Sequence, residues 1–549
     1  MKKEERDKRD LEKEARLGAA PDLGGISLPV SRLNLLKAFW FMTMLLGGWL
    51  LAGARELSGE SVLVAGLLFV VCLVPAWLWA SGRVTGLPIF PVFALSFLPT
   101  YVTPFWKGAV SLKDFSNTEI ITAGWTVAGF LSVSTLIWQQ ICVKNRSTAK
   151  NILMIQQVRS EWILMLCLLV QVIFEIGIFF FREMGEGIFP VFRSFAASAG
   201  RLGLFIFSYQ IGRGKLNQTY QGLFIIAVSL IMVRQISSLL LSTAIPTVGI
   251  LFAGYILGKG KIPWGSLIGT IIILGILQMG KVEMREEYFA NKKQASLSNV
   301  AEFFGEWVGY GLKNMGISTS KELKREDVQS VQERGSLIHM LIKVQQKTPS
   351  QLPYLDGETY RYIPEMLIPR IFNKDKIWVH AGNMILSLYY GILEKDKIFM
   401  TSIAFDPIIE AYANYGYAGV FFLAVIMGVG IGIVTNLTVR VPMLSVRFLI
   451  GLQLLAVLLG SFNTAGVFVT SFWQSLISLG VLAAVLMKNY PNPLFHPYRP
   501  RDEIKNTNQN LINNKSQTTS IEGLPTKMEP YSRPIRFIYG KHKPKTESN

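Results

Sequence analysis

The sequence predicts an all-α, polytopic membrane protein with about 12 transmembrane helices and one large, partly helical periplasmic loop between the ninth and tenth. Half of the residues (50%) are hydrophobic and only 17% are charged, against about 25% in soluble domains. The formal net charge is +18. Because the basic residues gather on short segments beside long apolar runs, this charge indicates membrane orientation rather than nucleic-acid binding.

The apolar runs predict the spans. Each run is near the roughly 20 residues that a helix needs to cross the hydrocarbon layer. Pro88, Pro91 and Pro99 interrupt the third run, and prolines at membrane depth need neighbouring groups to satisfy the carbonyls they free. In chain order the predicted spans cover residues 38–54, 61–80, 87–103, 120–142, 162–181, 190–212, 220–235, 236–258, 263–279, 417–435, 446–460 and 466–487.

The charges on the connecting segments predict orientation. Lys and Arg are frequent after spans four, six, eight and ten and scarcer on the opposite short segments, which places both termini in the cytoplasm. The predicted organisation is a cytoplasmic tail (1–37), spans one to nine (38–281), a periplasmic loop (282–416), spans ten to twelve (417–487) and a disordered basic cytoplasmic tail (488–549).

Several kinds of site find no support in the sequence. It contains no P-loop, no His/Cys set at zinc spacing and no Gly-x-Ser-x-Gly turn. Cys72, Cys142 and Cys167 lie within apolar runs, which does not indicate a disulfide or a metal site. We therefore expect no metal and no cofactor. The glycines at 428, 430 and 432 lie inside an apolar run and predict close helix packing.

The most informative residues are cations at or near membrane depth. Arg193 and Arg201 are eight positions apart, which puts them about two turns apart on one helix face. Arg234 ends the seventh span, and Lys281 and Arg285 end the ninth. Ionisable residues within a membrane usually face a polar interior, and arginine's planar fork suits phosphate. Together these side chains predict an anion-binding cleft; the alternative is that they reach out to lipid headgroups.

The large loop supplies candidate bases. Transfer of a group from a diphosphate to a hydroxyl needs a base near the acceptor and cations on the leaving group. We select Glu358, Glu410 and His380 as catalytic candidates, although most loop carboxylates and histidines are merely solvated or structural. Glu175, within the fifth span, is predicted to pair with one of the buried arginines. The other loop candidates are Asp356, Glu365, Asp406 and His339.

Three stretches carry a family resemblance. The chain leaves the ninth span as Gln278-x-Gly280-Lys281-x-x-x-Arg285-x-x-Tyr288 and re-enters as Glu410-Ala-Tyr-Ala-Asn-Tyr-Gly416-Tyr-Ala-Gly419. Between them lie Arg334, a Pro-to-Gly segment at 349–357, and Ile368-Pro-Arg370 followed by Lys374 and Lys376. Over roughly 220–435 this pattern resembles the bacterial oligosaccharide repeat-unit polymerases, the Wzy-type O-antigen polymerase family.

The resemblance implies a metal-independent, GT-C-like glycosyltransferase of the bacterial inner membrane. Such an enzyme joins repeat units carried on undecaprenyl diphosphate at the outer face of the inner membrane. It implies that Lys281, Arg285, Arg334 and Arg370 bind the diphosphates or the glycan, alongside Arg201 and Arg234 from the predicted cleft. The implied partners are the undecaprenyl-diphosphate-linked oligosaccharides, membrane lipids, a chain-length regulator and a flippase, with no nucleic acid.

Other functions stay open. A ligase that moves a finished glycan to another acceptor would have the same chemistry and differ only in acceptor. A transporter or flippase for the lipid-linked unit belongs to a different class, and transporters more often show internal repeats, which this chain lacks. A structural membrane scaffold would not explain arginines inside spans.

Overall fold

The protein is an all-α membrane protein. The computed structural model describes residues 31–53, 59–107, 112–144, 149–155, 160–180, 189–239, 241–290, 299–315, 336–369, 372–373, 375–395, 398, 403–459 and 463–492, and the backbone of 22–23 and 26–27. Within these residues, seven helices are long and apolar enough to cross a membrane, and three apolar helices are shorter. The described residues all belong to one compact unit, Met1–Phe495.

The elements follow the predicted order. The first ten helices are α1 (Arg32–Gly53), α2 (Gly59–Ala80), α3 (Ile89–Leu95), α4 (Thr103–Lys107), α5 (Asn117–Lys144), α6 (Ser160–Phe180), α7 (Phe189–Gly212), α8 (Gln218–Ser237), α9 (Leu241–Lys259) and α10 (Trp264–Met279). The later helices are α11 (Lys281–Ala290), α12 (Val300–Asn314), α13 (Ile338–Lys347), α14 (Ile363–Leu367), α15 (Ala381–Tyr389), α16 (Pro407–Leu437), α17 (Val446–Leu459) and α18 (Ala465–Leu486). Two antiparallel two-stranded sheets pair β1 (Asp22–Leu23) with β2 (Ile26–Ser27) and β3 (Asn151–Ile155) with β4 (Met487–Pro491).

Helix covers most of each predicted span in the described residues, and several boundaries differ from the prediction. The first helix begins at Arg32, inside the predicted cytoplasmic tail of residues 1–37. The eighth span begins at Leu241 rather than at 236, because α8 continues to Ser237 and the chain turns at Leu239 with φ 58°. The tenth begins at Pro407 rather than at 417. The predicted C-terminal tail does not start at 488, because β4 continues to Pro491.

The third span is interrupted, as its prolines predict. It consists of α3, a π-helical turn at Leu98–Val102 and α4. The interruption frees backbone carbonyls, and the protein satisfies them internally. The carbonyl of Thr100 accepts a hydrogen bond from the N–H of Leu337 at 3.0 Å. The hydroxyl of Tyr101 donates to the Asp406 carboxylate. The broken span therefore anchors the large loop to the bundle.

Glycines bring helices into close contact. A Cβ built on Gly428 would lie 2.8 Å from the carbonyl oxygen of Ser134, and one on Gly432 would lie 3.1 Å from Ile141. These contacts join α16 to α5 and confirm the packing role predicted for two of the three glycines; Gly430 faces open space. On α9, a Cβ on Gly258 would meet the carbonyl oxygen of Tyr209 on α7 at 2.2 Å.

One end of the bundle collects the segments predicted to be cytoplasmic. β3 follows the fourth span and pairs with β4, which follows the twelfth. The N–H of Ile155 donates to the carbonyl of Leu444, in the segment after the tenth span. Asn492 donates to the carbonyl of Arg440 at 3.1 Å. These segments therefore share one side, as the charge pattern predicts.

The other end carries the described residues between 336 and 406. Six residues of this segment between Leu337 and Val344 are buried in the main hydrophobic core. Gln346 of α13 donates to Glu119 at the start of α5 at 2.6 Å, and Gln345 donates to Thr126 one level deeper at 2.9 Å. The described part of the predicted periplasmic loop is thus packed into the helical bundle rather than forming a separate solvated domain.

A second, smaller core lies at the end of α10. Met284, Tyr288, Phe303 and Trp307 from α11 and α12 pack there with Leu277. α12 packs closely on α10, and the indole N–H of Trp307 donates to the carbonyl of Leu277 at 2.6 Å. This core fixes α11, which carries Lys281 and Arg285.

A kink in α16 is held by the loop before α14. Tyr415 and Gly416 have non-helical backbone angles, with φ 60° at Gly416. Asn414 accepts a hydrogen bond from the N–H of Gly357 at 3.0 Å and donates to Thr359 at 2.8 Å. Since a Cβ on Gly416 would lie 2.7 Å from the Tyr354 hydroxyl oxygen, only glycine fits the kink without strain.

Gly416→Ala is expected to destabilise the protein by about 1–3 kcal/mol, because it adds left-handed backbone strain and a clash with Tyr354. Thermal unfolding in detergent measures the loss. Gly430→Ala on the same helix is the matched control: position 430 faces open space, and the change should cause no loss of stability, because alanine favours a helix more than glycine does. Equal stability of the two variants would contradict this account of the kink.

Candidate functional site

A cavity of about 490 Å³ lies among six helices, within the size range of small-molecule sites. Its walls come from the ends of α6, α8 and α17 and from the starts of α7, α9 and α18. Since these helices alternate in direction, all of these parts lie at the end of the bundle that carries residues 336–406. The polar wall residues that we discuss are Gln171, Glu175, Arg193, Arg201, Arg234, Gln235, Thr247 and Ser475.

Three arginines line this cavity. Arg193 and Arg201 of α7 both face it, which confirms that they share one helix face, and Arg234 joins them from α8. Arg201 lies about 18 Å along the axis from the start of α7, at 1.5 Å per residue. Its guanidinium donates to Gln453 at 2.7 Å and to Ser475 at 3.5 Å. The cavity therefore combines three positive charges with protein-made hydrogen bonds at membrane depth.

Glu175 supplies a negative charge to the same cavity. Its carboxylate accepts a hydrogen bond from Gln235 at 3.4 Å, and the charges of Arg234 and Arg193 both act on it. The arginines therefore act electrostatically on Glu175, and the predicted ion pair with one of them stays a prediction. Gln235 accepts in turn from the hydroxyl of Thr247 at 2.9 Å.

His380 lies beside this site. It is exposed and precedes α15. Desolvation and the positive charge of Arg193 lower the pKa of His380. The adjoining backbone approaches the start of α18: a Cβ on Gly466 would lie 3.5 Å from the carbonyl of Val379. His380 is therefore the one predicted catalytic residue that the described structure brings close to a cavity arginine.

Glu410 is fully buried, with 0% exposure. One carboxylate oxygen accepts from the N–H of Ala465 at 2.5 Å, the first residue of α18. The preceding Thr464 directs its hydroxyl to Asn383 at 2.6 Å instead of capping the helix. Glu410 thus caps α18 in its place, where a negative charge is favoured by the helix dipole. It does not line the cavity.

Glu358 lies outside the cavity as well. It forms a surface ion pair with Arg361 at 2.6 Å and accepts from the hydroxyl of Tyr362 at 3.0 Å. The following Tyr360 is close to Glu410: burial and the charge of Glu410 raise the pKa of Tyr360. The contacts of Glu358 are thus with neighbouring residues of the same segment, and its catalytic role stays a prediction.

Two of the remaining predicted cations belong to the described residues, and neither lies in this cavity. Lys281 and Arg285 lie on α11, against the small core, and are absent from the cavity wall. Arg334 and Arg370 lie outside the described residues. A binding role for these four residues therefore stays a prediction.

Sequence reasoning missed the amides that support the charges. Gln171, Gln235 and Gln453 lie within apolar helices and contact or line the site. A glutamine inside a membrane span is itself a signal, because its polar groups need partners there. The partners themselves are on other helices: Gln453 bridges the Arg201 side chain to the carbonyl of Ser198 at 3.1 Å.

The fold and the site define a helical membrane protein with a cation-lined cavity at one end of its bundle. The chain belongs to the family described as Domain of unknown function (DUF8712), which matches residues 130–457. That match includes α6 to α17 and hence Glu175, Arg201, Arg234 and Glu410, but it ends before α18. No curated protein and no solved structure matches the chain.

Arg193→Gln is expected to raise the pKa of His380 toward its ordinary value, because it removes a positive charge that disfavours the imidazolium. NMR titration of labelled histidines in detergent measures the shift, with His380→Gln assigning the signal. Arg213→Gln is the matched control, since exposed Arg213 follows the opposite end of α7. An unchanged His380 pKa in Arg193→Gln would exclude this electrostatic contact.

Proposed function

We propose that this chain is a bacterial inner-membrane glycosyltransferase that polymerises undecaprenyl-diphosphate-linked oligosaccharide repeat units into O-antigen or exopolysaccharide. The observation that carries the proposal is the cavity in which Arg193, Arg201 and Arg234 converge at one end of the bundle. A diphosphate carries the charge and the oxygen geometry that arginine forks bind best. The resemblance of residues 220–435 to the Wzy-type polymerases names the same substrate.

The proposed topology has twelve spans, cytoplasmic termini and residues 282–416 on the periplasmic side. It is supported by the basic residues on alternate connecting segments. It is also supported by the β3–β4 sheet, which joins segments that this topology assigns to one side. The cavity then faces the periplasm, where lipid-linked units meet the growing polymer. The proposed partners are a flippase that supplies the units and a chain-length regulator.

The proposed reaction needs stabilisation of a leaving diphosphate. Transfer breaks the bond between the anomeric carbon and the diphosphate oxygen, and the negative charge on that oxygen rises. Arg193, Arg201 and Arg234 are positioned by the fold before substrate arrives, so their charges can act without reorganisation. Gln453 and Ser475 hold the deepest of them. The three arginines thus stabilise the charge that develops as the diphosphate leaves.

The test uses the purified full chain in detergent with a short undecaprenyl-diphosphate-linked repeat unit and reads products by mass. The proposal expects a ladder of multiples. A product that forms only when a second acceptor is added would indicate a ligase. Intact substrate in detergent, together with movement of the lipid-linked unit across vesicle membranes, would indicate a transporter. Either outcome overturns the polymerase proposal.

Arg234→Gln and Arg201→Lys are expected to slow ladder formation by about 10- to 100-fold, the equivalent of one lost charged hydrogen bond. Lysine keeps the charge of Arg201 but loses the fork. Arg213→Gln, at the opposite end of α7, should keep the wild-type rate. Wild-type rates in both cavity variants would contradict the role of this cavity. A comparable loss in Arg285→Gln would add a substrate contact on α11.

A further inference from the structure

We infer that Glu175 is the base that removes the proton from the acceptor hydroxyl, an inference that rests on the proposed function. Glu175 is the only carboxylate among the described residues that line the cavity, and it lies there with Arg193, Arg201 and Arg234. A base and the groups that bind the leaving diphosphate must face one common space, because the acceptor oxygen attacks the carbon that the diphosphate leaves.

The other candidate carboxylates lie elsewhere. Glu410 is fully buried and accepts a hydrogen bond from the N–H of Ala465 at the start of α18. Glu358 is held at the surface by Arg361. His380 lies near Arg193, but it is not part of the cavity wall. Position therefore favours Glu175 over all three residues that the sequence suggested.

Amide groups hold the Glu175 carboxylate in place. The hydroxyl of Thr247 donates to the Gln235 side-chain oxygen at 2.9 Å, which leaves the amide nitrogen of Gln235 to donate to Glu175 at 3.4 Å. These hydrogen bonds, which run from α9 through α8 to α6 along the cavity wall, orient the Glu175 oxygen. A base whose orientation is set before substrate binds needs less reorganisation in the transition state.

Gln171 adds a second support on the same helix. It lies one turn before Glu175, is 3% exposed and interacts with its carboxylate. It also fills the space over Gly200 of α7, where an added Cβ would lie 1.6 Å from the Gln171 oxygen. Because glycine has no side chain, the side chain of Gln171 can occupy the space beside Gly200.

The proposed step transfers one proton and exchanges one bond at the anomeric carbon. Glu175 accepts the hydroxyl proton as the acceptor oxygen forms its bond to the anomeric carbon of the donor. The bond from that carbon to the diphosphate oxygen breaks, and the released diphosphate takes the bonding electron pair. The arginines balance its charge, and Glu175 later passes its proton to the released diphosphate or to water.

The experiment compares wild type, Glu175→Gln, Glu175→Asp and the control Glu161→Gln, which changes a carboxylate at the start of the same helix. Two quantities are measured on the full chain in detergent: single-turnover conversion of the lipid-linked unit, and binding of undecaprenyl diphosphate. We expect Glu175→Gln to bind undecaprenyl diphosphate at least as tightly as wild type and to react at least about 100-fold more slowly. Glu175→Asp should recover part of the rate, and Glu161→Gln should react as wild type does.

Each contrary result has a distinct meaning. A Glu175→Gln rate within about threefold of wild type overturns the inference and leaves the proposed function standing; a rate lost instead in His380→Gln moves the base to His380. Parallel loss of binding and turnover in both Glu175 variants reduces Glu175 to a partner of the arginines and also overturns it. If wild type itself makes no product, the proposed function fails, and this inference fails with it.

Discussion

Polar groups inside a bilayer need hydrogen-bond partners within the protein, and Arg201 obtains its partners from other helices. Its guanidinium lies deep in α7 and finds partners on two other helices, Gln453 of α17 and Ser475 of α18. In hydrocarbon no water would replace those partners, so the three helices are joined at that level. The cavity opens beside this junction, and the other two arginines approach it from α7 and α8. A polar site at membrane depth thus both organises the helices and supplies a binding surface.

The start of α18 couples this cavity to the large loop. Glu410 caps the helix from α16, while Thr464 is tied to Asn383 at the start of α15. The same helix then presents Ser475 to Arg201. These contacts are buried and come from distant segments of the chain, and they fix the start of the helix whose residues 467–475 line the cavity. The described part of the loop therefore supports a helix of the cavity wall, although none of its described carboxylates lines the cavity.

The broken third span serves the same end of the bundle. Its π-helical turn exposes a carbonyl that Leu337 satisfies, and its Tyr101 hydroxyl binds Asp406. Asp406 also caps α16 by accepting from the N–H of Ile409 at 2.9 Å. Irregular backbone at membrane depth is stable here because it is buried in protein. The first part of α16 is consequently held by two segments: the broken span and the loop that contacts its kink.

The sequence by itself determined which segments are helical, that the protein belongs in a membrane, and that Arg193 and Arg201 share a face. The hydropathy of a span and the helical period of 3.6 residues are local properties of the sequence. Local sequence also predicted that Gly428 and Gly432 pack closely against a neighbouring helix. The sequence also predicted that Arg234 joins these arginines and that Glu175 pairs with one of them. Only the tertiary structure decided that Lys281 and Arg285 lie away from the cavity and that Glu410 caps a helix. The physical reason is that these relations depend on which helices are neighbours. Long-range side-chain packing chooses those neighbours, and the local pattern of residues does not record it.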